Sequence, residues 1–125
     1  MKPFGTIEQE RILAEDDLFT IARDKYPVSP GHSLIIAKRL VARFYQLTKE
    51  EKARLMEWID WCVMYLQRTQ DPTPNGFNIG LNDGAAAGQT ILQLHIHVIP
   101  RYHGDVEDPR GGVRFVIPQK AKYWA

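Results

Sequence analysis

Hydrophobic and polar positions along the 125-residue chain alternate first with the period of strands and then with that of a helix. Short apolar stretches at Arg11–Ala14 and Leu18–Arg23, separated by Glu15-Asp16-Asp17, predict a β-hairpin. The prolines of Pro27-Val28-Ser29-Pro30-Gly31 keep the next segment out of helix, and Leu34-Ile35-Ile36 within Ser33–Ala37 predicts a third, largely buried strand. Thr48 with Glu51 three residues on makes a capping box, after which Ala53, Met56, Ile59, Val63 and Leu66 recur at helical spacing to near Arg68. A second stripe, Leu55, Trp58, Cys62 and Tyr65, widens the apolar arc and leaves two readings open: a helix well buried on its own sheet, or one with a flank packed on another subunit. Asp71–Gly76 breaks the helix, and strands are predicted at Phe77–Leu81 and from about Ile91 to Arg101. Tyr102–Ala125 reads as a C-terminal arm that must pack on something. The order predicts an α+β fold with an antiparallel sheet of about five strands crossed by one long helix, in a single domain over 1–125.

Composition narrows the function. With 44% hydrophobic and 25% charged residues the chain suits one soluble globular domain. Sixteen Lys and Arg against fifteen Asp and Glu leave a net charge of +1, which supplies no basic field for a nucleic-acid polymer. No run approaches the roughly 18 apolar residues of a membrane span, and the first residues carry no apolar leader, so a cytoplasmic location without a membrane partner is expected. The single cysteine, Cys62, can form neither an intrachain disulfide nor a multi-Cys zinc site and is expected to be a small buried hydrophobe.

The candidate chemistry lies in Gln93-Leu94-His95-Ile96-His97-Val98-Ile99, where a period of two puts Gln93, His95 and His97 on one face and Leu94, Ile96 and Val98 on the other. Two chemistries use such a pair. One is zinc binding, which needs a third ligand from His32, His103 or a carboxylate, a convergence that the spacing does not show. The other is nucleophilic catalysis at phosphorus, in which one ring nitrogen attacks while the other N–H is held by an acceptor and a second histidine stabilises the phosphoryl oxygens or the leaving group. The preceding Asn82-Asp83-Gly84-Ala85-Ala86-Ala87-Gly88-Gln89-Thr90, built of small residues with polar edges, suits a phosphate cradle as well as a plain loop.

These residues are recognisable together. Ile12–Asp17, Ala22-Arg23-Asp24, Pro27–Ile36 with its Pro-Gly-His block, and Gly88–Arg101 with its Gly-Gln-Thr block and histidine strand make the chain resemble the histidine triad (HIT) nucleotide hydrolases and transferases. The relevant branch is that of the fragile-histidine-triad dinucleoside polyphosphate hydrolases and the Hint-type phosphoramidases, and the arm is similar to that of small bacterial HIT proteins. The resemblance implies that His95 is the nucleophile, attacking an α-phosphorus to give a nucleotidyl-histidine that water cleaves. It makes His97 the last triad histidine, contacting the same phosphate and the departing oxygen, and His32 a supporting histidine. Asp24 is implied to bind ribose hydroxyls, and Asn82, Gln89 and Thr90 to line the phosphate site. Phe4, Ile21 and Ala22 are expected in the base pocket.

The departure is Gln93, which stands where the family has its first histidine. If that position serves mainly through its backbone carbonyl, which in the family orients the nucleophile's N–H, any residue supplies it; a glutamine adds a donor and an acceptor but no titratable proton. The implied function is cleavage of a P–O–P or P–N bond in a dinucleoside polyphosphate such as Ap4A or a nucleoside phosphoramidate, the alternative being a nucleotide-binding sensor with little turnover. No cofactor is required, Mg²⁺ accompanies the substrate at most, no protein-bound metal is expected, and relatives pair as two-fold homodimers.

Overall fold

The computed structural model describes residues 3–125. β1 (Ile12–Glu15) and β2 (Phe19–Arg23) form the expected hairpin, closed by Asp16, whose Oδ1 accepts the N–H groups of Leu18 and Phe19 at 2.8 Å each. β3 (Ser33–Ala37) follows, then α1 (Lys49–Thr69), β4 (Gly76–Gly80) and β5 (His95–Arg101). All pairings are antiparallel in the order β1-β2-β3-β5-β4, the five-stranded α+β arrangement read from the sequence. β3 and β5 meet at the centre although 57 residues separate Ala37 from His95, so the sheet joins the Pro-Gly-His block to the histidine strand.

One face of the sheet carries the main core. Phe19, Ile21, Ile35, Ile96 and Val98 are buried there under Leu55, Cys62 and Leu66 of α1. The helix starts as its sequence requires: the Thr48 hydroxyl accepts the Glu51 N–H at 3.0 Å, and Glu51 Oε1 accepts the Thr48 N–H at 2.8 Å. Of the two apolar stripes, the second faces the sheet. Ala53 and Met56 of the first are exposed, and only Leu66 of that stripe is fully buried. The reason is the cap: Glu51, held inward by a 2.7 Å ion pair to Arg39, lies one turn before Leu55 and fixes which arc of the cylinder points inward. Trp58 turns its indole N–H to Asp16 Oδ2 at 2.8 Å, and Trp61 stacks on Tyr65 with centroids 4.8 Å apart, so this flank is engaged within the chain.

The other face is thinner. Ala22, Leu34 and Ile36 are buried there beneath Phe4 and Ile7 of the N-terminal segment. Ile21, expected in a base pocket, lies instead on the helix side, because it alternates with Ala22 along β2. β5 is also shorter than expected. It begins at His95, and the stretch before it turns aside so that the Leu94 N–H bonds the Val41 carbonyl at 2.7 Å while Ala37 N–H bonds Leu94. The arm beyond β5 contains a single 3₁₀ turn and the one-turn α2 (Pro118–Ala121), with Gly112 set against the side chain of Asn78 in β4. Trp124 packs within the arm, beneath the Arg110 guanidinium at 4.4 Å. No helix among the described residues is long and apolar enough to cross a membrane.

Candidate active site

Strand register assembles the site. Leu34 of β3 stands opposite His97 and Ile36 opposite His95, so both histidines rise from the thin face while Ile96 and Val98 anchor the strand in the core beneath them. Their rings are 5.2 Å apart between centroids. His32, 3% exposed, enters from the turn before β3. That turn explains the Pro-Gly-His block: Gly31 has φ +90°, and a Cβ there would lie 2.9 Å from the Gln70 side chain. Asp24 follows β2, and its N–H bonds the His32 carbonyl at 2.9 Å. A cleft of about 510 Å³ opens over these groups, with Phe4, Thr6, Glu8, Arg11, Asn82, Gln89, Thr90 and Ile91 also on its walls.

Backbone groups settle the tautomers of two imidazoles, and the second of these settles the third. His95 Nδ1 lies 2.9 Å from the Gln93 carbonyl, which only accepts, so Nδ1 carries a proton and in the neutral ring Nε2 presents its lone pair. His32 Nδ1 receives the Val28 N–H at 3.1 Å, so in neutral His32 the proton is on Nε2. That N–H faces His97 Nδ1 at 2.9 Å and Asp24 Oδ2 at 3.3 Å. His97 therefore accepts at Nδ1 and donates from Nε2. Burial, followed by the neighbouring His95 and His32, pushes His97 down to about 4, with Asp24 acting in the opposite direction. Burial likewise lowers His32 against the pull of Asp24. Near neutral pH the pair is uncharged, and the cluster offers one nucleophilic nitrogen beside one N–H donor.

The other sequence candidates are placed unequally. Asn82 and Thr90 sit on the cleft wall. Gln89 also borders it, but its side chain organises the loop: Oε1 accepts the Gly84 N–H at 2.9 Å and Nε2 donates to the Ala42 and Ile91 carbonyls at 3.0 Å. Gly84 and Gly88, at φ +104° and +96°, make the tight turn on either side of Ala85–Ala87. Asp83, not among the candidates, ties this loop to the chain before α1 by accepting the Phe44 N–H at 2.9 Å and pairing with Arg43 at 3.2 Å. Asp24 Oδ1 accepts the Tyr26 N–H at 2.8 Å, and its Oδ2 faces His32. Gln93 directs its side chain away from the cleft, and its carbonyl is the group that meets His95.

Metal-type donors also converge, though not as a His95–His97 chelate. His32, His97 and Asp24 place ligand atoms within 4.8 Å of one another, with separations of 2.9, 3.3 and 3.9 Å. These approach the roughly 3.3 Å edges of a tetrahedral site with bonds of about 2.0 Å. A cation there requires His32 to surrender the proton it shares with His97. His103 takes no part; its N–H bonds Asn75 on the far side of the β5 turn.

Comparison with known proteins follows the same lines. The HIT domain family matches residues 6–104. The chain is 35% identical over 129 residues to the AP-4-A phosphorylase of Mycobacterium tuberculosis, an alignment covering 94% of this chain and 63% of that protein. It thus spans less than two thirds of that relative's length. It is also 35% identical over 102 residues to the bis(5'-adenosyl)-triphosphatase of Dictyostelium discoideum, covering 82% and 67% of the two chains. The crystal structure of a hypothetical histidine triad nucleotide-binding protein from Sulfolobus tokodaii superposes with a TM-score of 0.70 at 31% identity, over 75% of this chain and 62% of that one. The family match spans every strand of the sheet, β5 with its two histidines included, and the chain belongs to the HIT domain family.

Proposed function

We propose that the protein is a nucleotide hydrolase or transferase acting at an α-phosphate through His95. The observation that carries this reading is the 2.9 Å contact of His95 Nδ1 with the Gln93 carbonyl, which in the neutral ring makes Nε2 the nitrogen with the free lone pair, beside the cleft. Nε2 attacks the α-phosphorus, the bond from phosphorus to the leaving oxygen or nitrogen breaks, and a nucleoside monophosphate stays on His95. The His97 N–H donates to a phosphoryl oxygen or to the departing atom, and Asn82 and Thr90 border the phosphate. Water then attacks phosphorus and releases His95 with a nucleoside monophosphate; inorganic phosphate in place of water releases a nucleoside diphosphate. Asp24 serves the ribose end of the cleft while holding His32. Dinucleoside polyphosphates such as Ap4A and nucleoside phosphoramidates are the substrate classes, the first supported by the names of the relatives from M. tuberculosis and D. discoideum. The protein acts as a homodimer.

Intact mass after a rapid quench with diadenosine tetraphosphate or an adenosine phosphoramidate tests this. The expected result is an adduct of one AMP, absent in His95→Ala, with AMP released in buffer and ADP in the presence of phosphate. Nucleotide binding without adduct or product replaces catalysis with the sensor reading. Mg²⁺ enters only with the polyphosphate it neutralises. EDTA is therefore expected to raise KM for the tetraphosphate and leave the phosphoramidate rate unchanged; equal loss on both substrates assigns the metal to the protein.

A further inference from the structure

The Gln93 carboxamide remains unexplained by its carbonyl's role. The side chain points away from the cleft, into an adjoining depression with Pro3, Leu40, Val41 and Leu92. There both ends are engaged: Nε2 donates to the Ala37 carbonyl at the end of β3 at 2.6 Å, and Oε1 accepts the Phe4 N–H at 3.1 Å. Among the described residues, no other hydrogen bond engages the backbone between Pro3 and Ile7. The rest of that segment's attachment is the apolar contact of Phe4 and Ile7 with Ala22, Leu34 and Ile36. The Phe4 ring in turn meets the His95 imidazole edge to face, with centroids 4.8 Å apart and planes at 87°.

We infer that the Gln93 side chain is a positioning group for His95: by tying the Phe4 backbone to the end of β3, it seats the Phe4 ring against the imidazole and holds the N-terminal segment as one wall of the cleft. The single residue then fixes the nucleophile from two sides, through its carbonyl at Nδ1 and through Phe4 at the ring. A hydrogen bond at Nδ1 alone leaves the imidazole some freedom about its terminal torsion, and a perpendicular aromatic ring packed on it restricts that freedom. The clamp needs a donor and an acceptor at once, and a carboxamide supplies both at every pH. This gives the departure from the family's histidine a physical use. The catalytic consequence rests on the proposed role of His95; the clamp itself does not.

The test uses the full chain and compares wild type, Gln93→Ala, Phe4→Leu and the double variant. Without ligand, NMR reads the His95 ring protons and the exchange rate of the Phe4 amide. Gln93→Ala is expected to expose that amide and move the His95 resonances in the direction that Phe4→Leu moves them, with His103 unchanged. In single turnover with diadenosine tetraphosphate, each single variant is expected to slow adduct formation about tenfold and the double variant no further, since both break one linkage. If the alanine variant unfolds, Gln93→Met keeps the bulk of the side chain while removing both the acceptor for Phe4 and the donor to the Ala37 carbonyl, and the same correlated changes are expected. A protected Phe4 amide with unmoved His95 resonances in the Gln93 variants overturns the inference, as do losses that multiply in the double variant. Absence of an adduct in wild type defeats the catalytic reading, and the NMR comparison then decides the clamp alone.

Discussion

His97 and His32 show how much of a residue's chemistry is set by groups that never touch a substrate. The Val28 N–H fixes the proton of His32, and His32 fixes that of His97. Removing the relay with His32→Ala is expected to slow adduct formation roughly 10–100-fold, the range for losing a group that orients a reacting histidine, without preventing nucleotide binding. A rate within twofold of wild type contradicts the relay. The same burial has a thermodynamic sign. An unfolded imidazole titrates near 6.5, whereas folded His97 is held down to about 4, so between these values the unfolded chain binds more protons. The stabilisation is complete above about pH 6.5 and is lost as pH falls toward 4, at up to about 1.4 kcal/mol per pH unit per proton. Asp16 and Glu51, both lowered to about 2, lose theirs only below the usual carboxylate range near 4. Urea unfolding at pH 7, 6 and 5 should therefore show a decline that flattens in His97→Asn; an unchanged slope excludes His97 as its source. The histidine face was legible because a two-residue period survives any detail of packing. The contact of Asp24 with His32 was not, since it joins the ends of β2 and β3 through a turn whose geometry depends on Gly31 and Gln70.

At the scale of elements, α1 illustrates both the reach and the limit of pattern. Its start and length follow from Thr48, Glu51 and the apolar recurrence, but two stripes at the same period are equivalent until something outside the helix chooses between them. Arg39 makes that choice through Glu51, and an arginine 12 residues upstream carries no periodic signal. β3 was legible as a buried strand because it has neighbours on both sides and a helix above. The start of β5 was not, because Ile91–Gln93 continues the strand composition while Gln93 and Leu94 form their bonds with Ala37 and Val41. Thr48→Ala removes the hydroxyl that accepts the Glu51 N–H and is expected to cost about 1 kcal/mol in urea unfolding at pH 7, with the cleft unaffected. A loss under about 0.3 kcal/mol means that the Arg39–Glu51 pair alone caps the helix start. Cys62, buried on the same helix face, has its thiol pushed up to about 11 by that burial.

The whole molecule presents its apolar surface unevenly. The flank of α1 that the sequence offered to a second subunit is largely engaged, through the Trp58–Asp16 hydrogen bond and the Trp61–Tyr65 stack, leaving Met56 and Met64 outward. The arm is the opposite: Val113 is 66% exposed, Val116 79% and Ile117 55%, on a segment that runs beside the edge strand β4. Apolar groups gathered on one short arm gain about 25 cal/mol per Å² when covered, and a stable contact between copies buries on the order of 1,200–2,000 Å² in total. The proposed homodimer is therefore expected to draw its contact from the arm and the β4 end of the sheet. His97 stands one strand in from β4, opposite Gly80, and Asn78, Ile79 and Val113 border a second cleft beside it, so a partner seated there lies next to His97. Sedimentation at micromolar concentration is expected to show a dimer for wild type and for Met64→Asp, and a monomer for Val116→Asp, whose charge cannot be desolvated in an apolar contact. Dissociation by Met64→Asp with Val116→Asp still dimeric moves the contact to α1, as the helix pattern first allowed. A wild-type monomer at tens of micromolar removes the dimer and leaves the arm a surface of one chain.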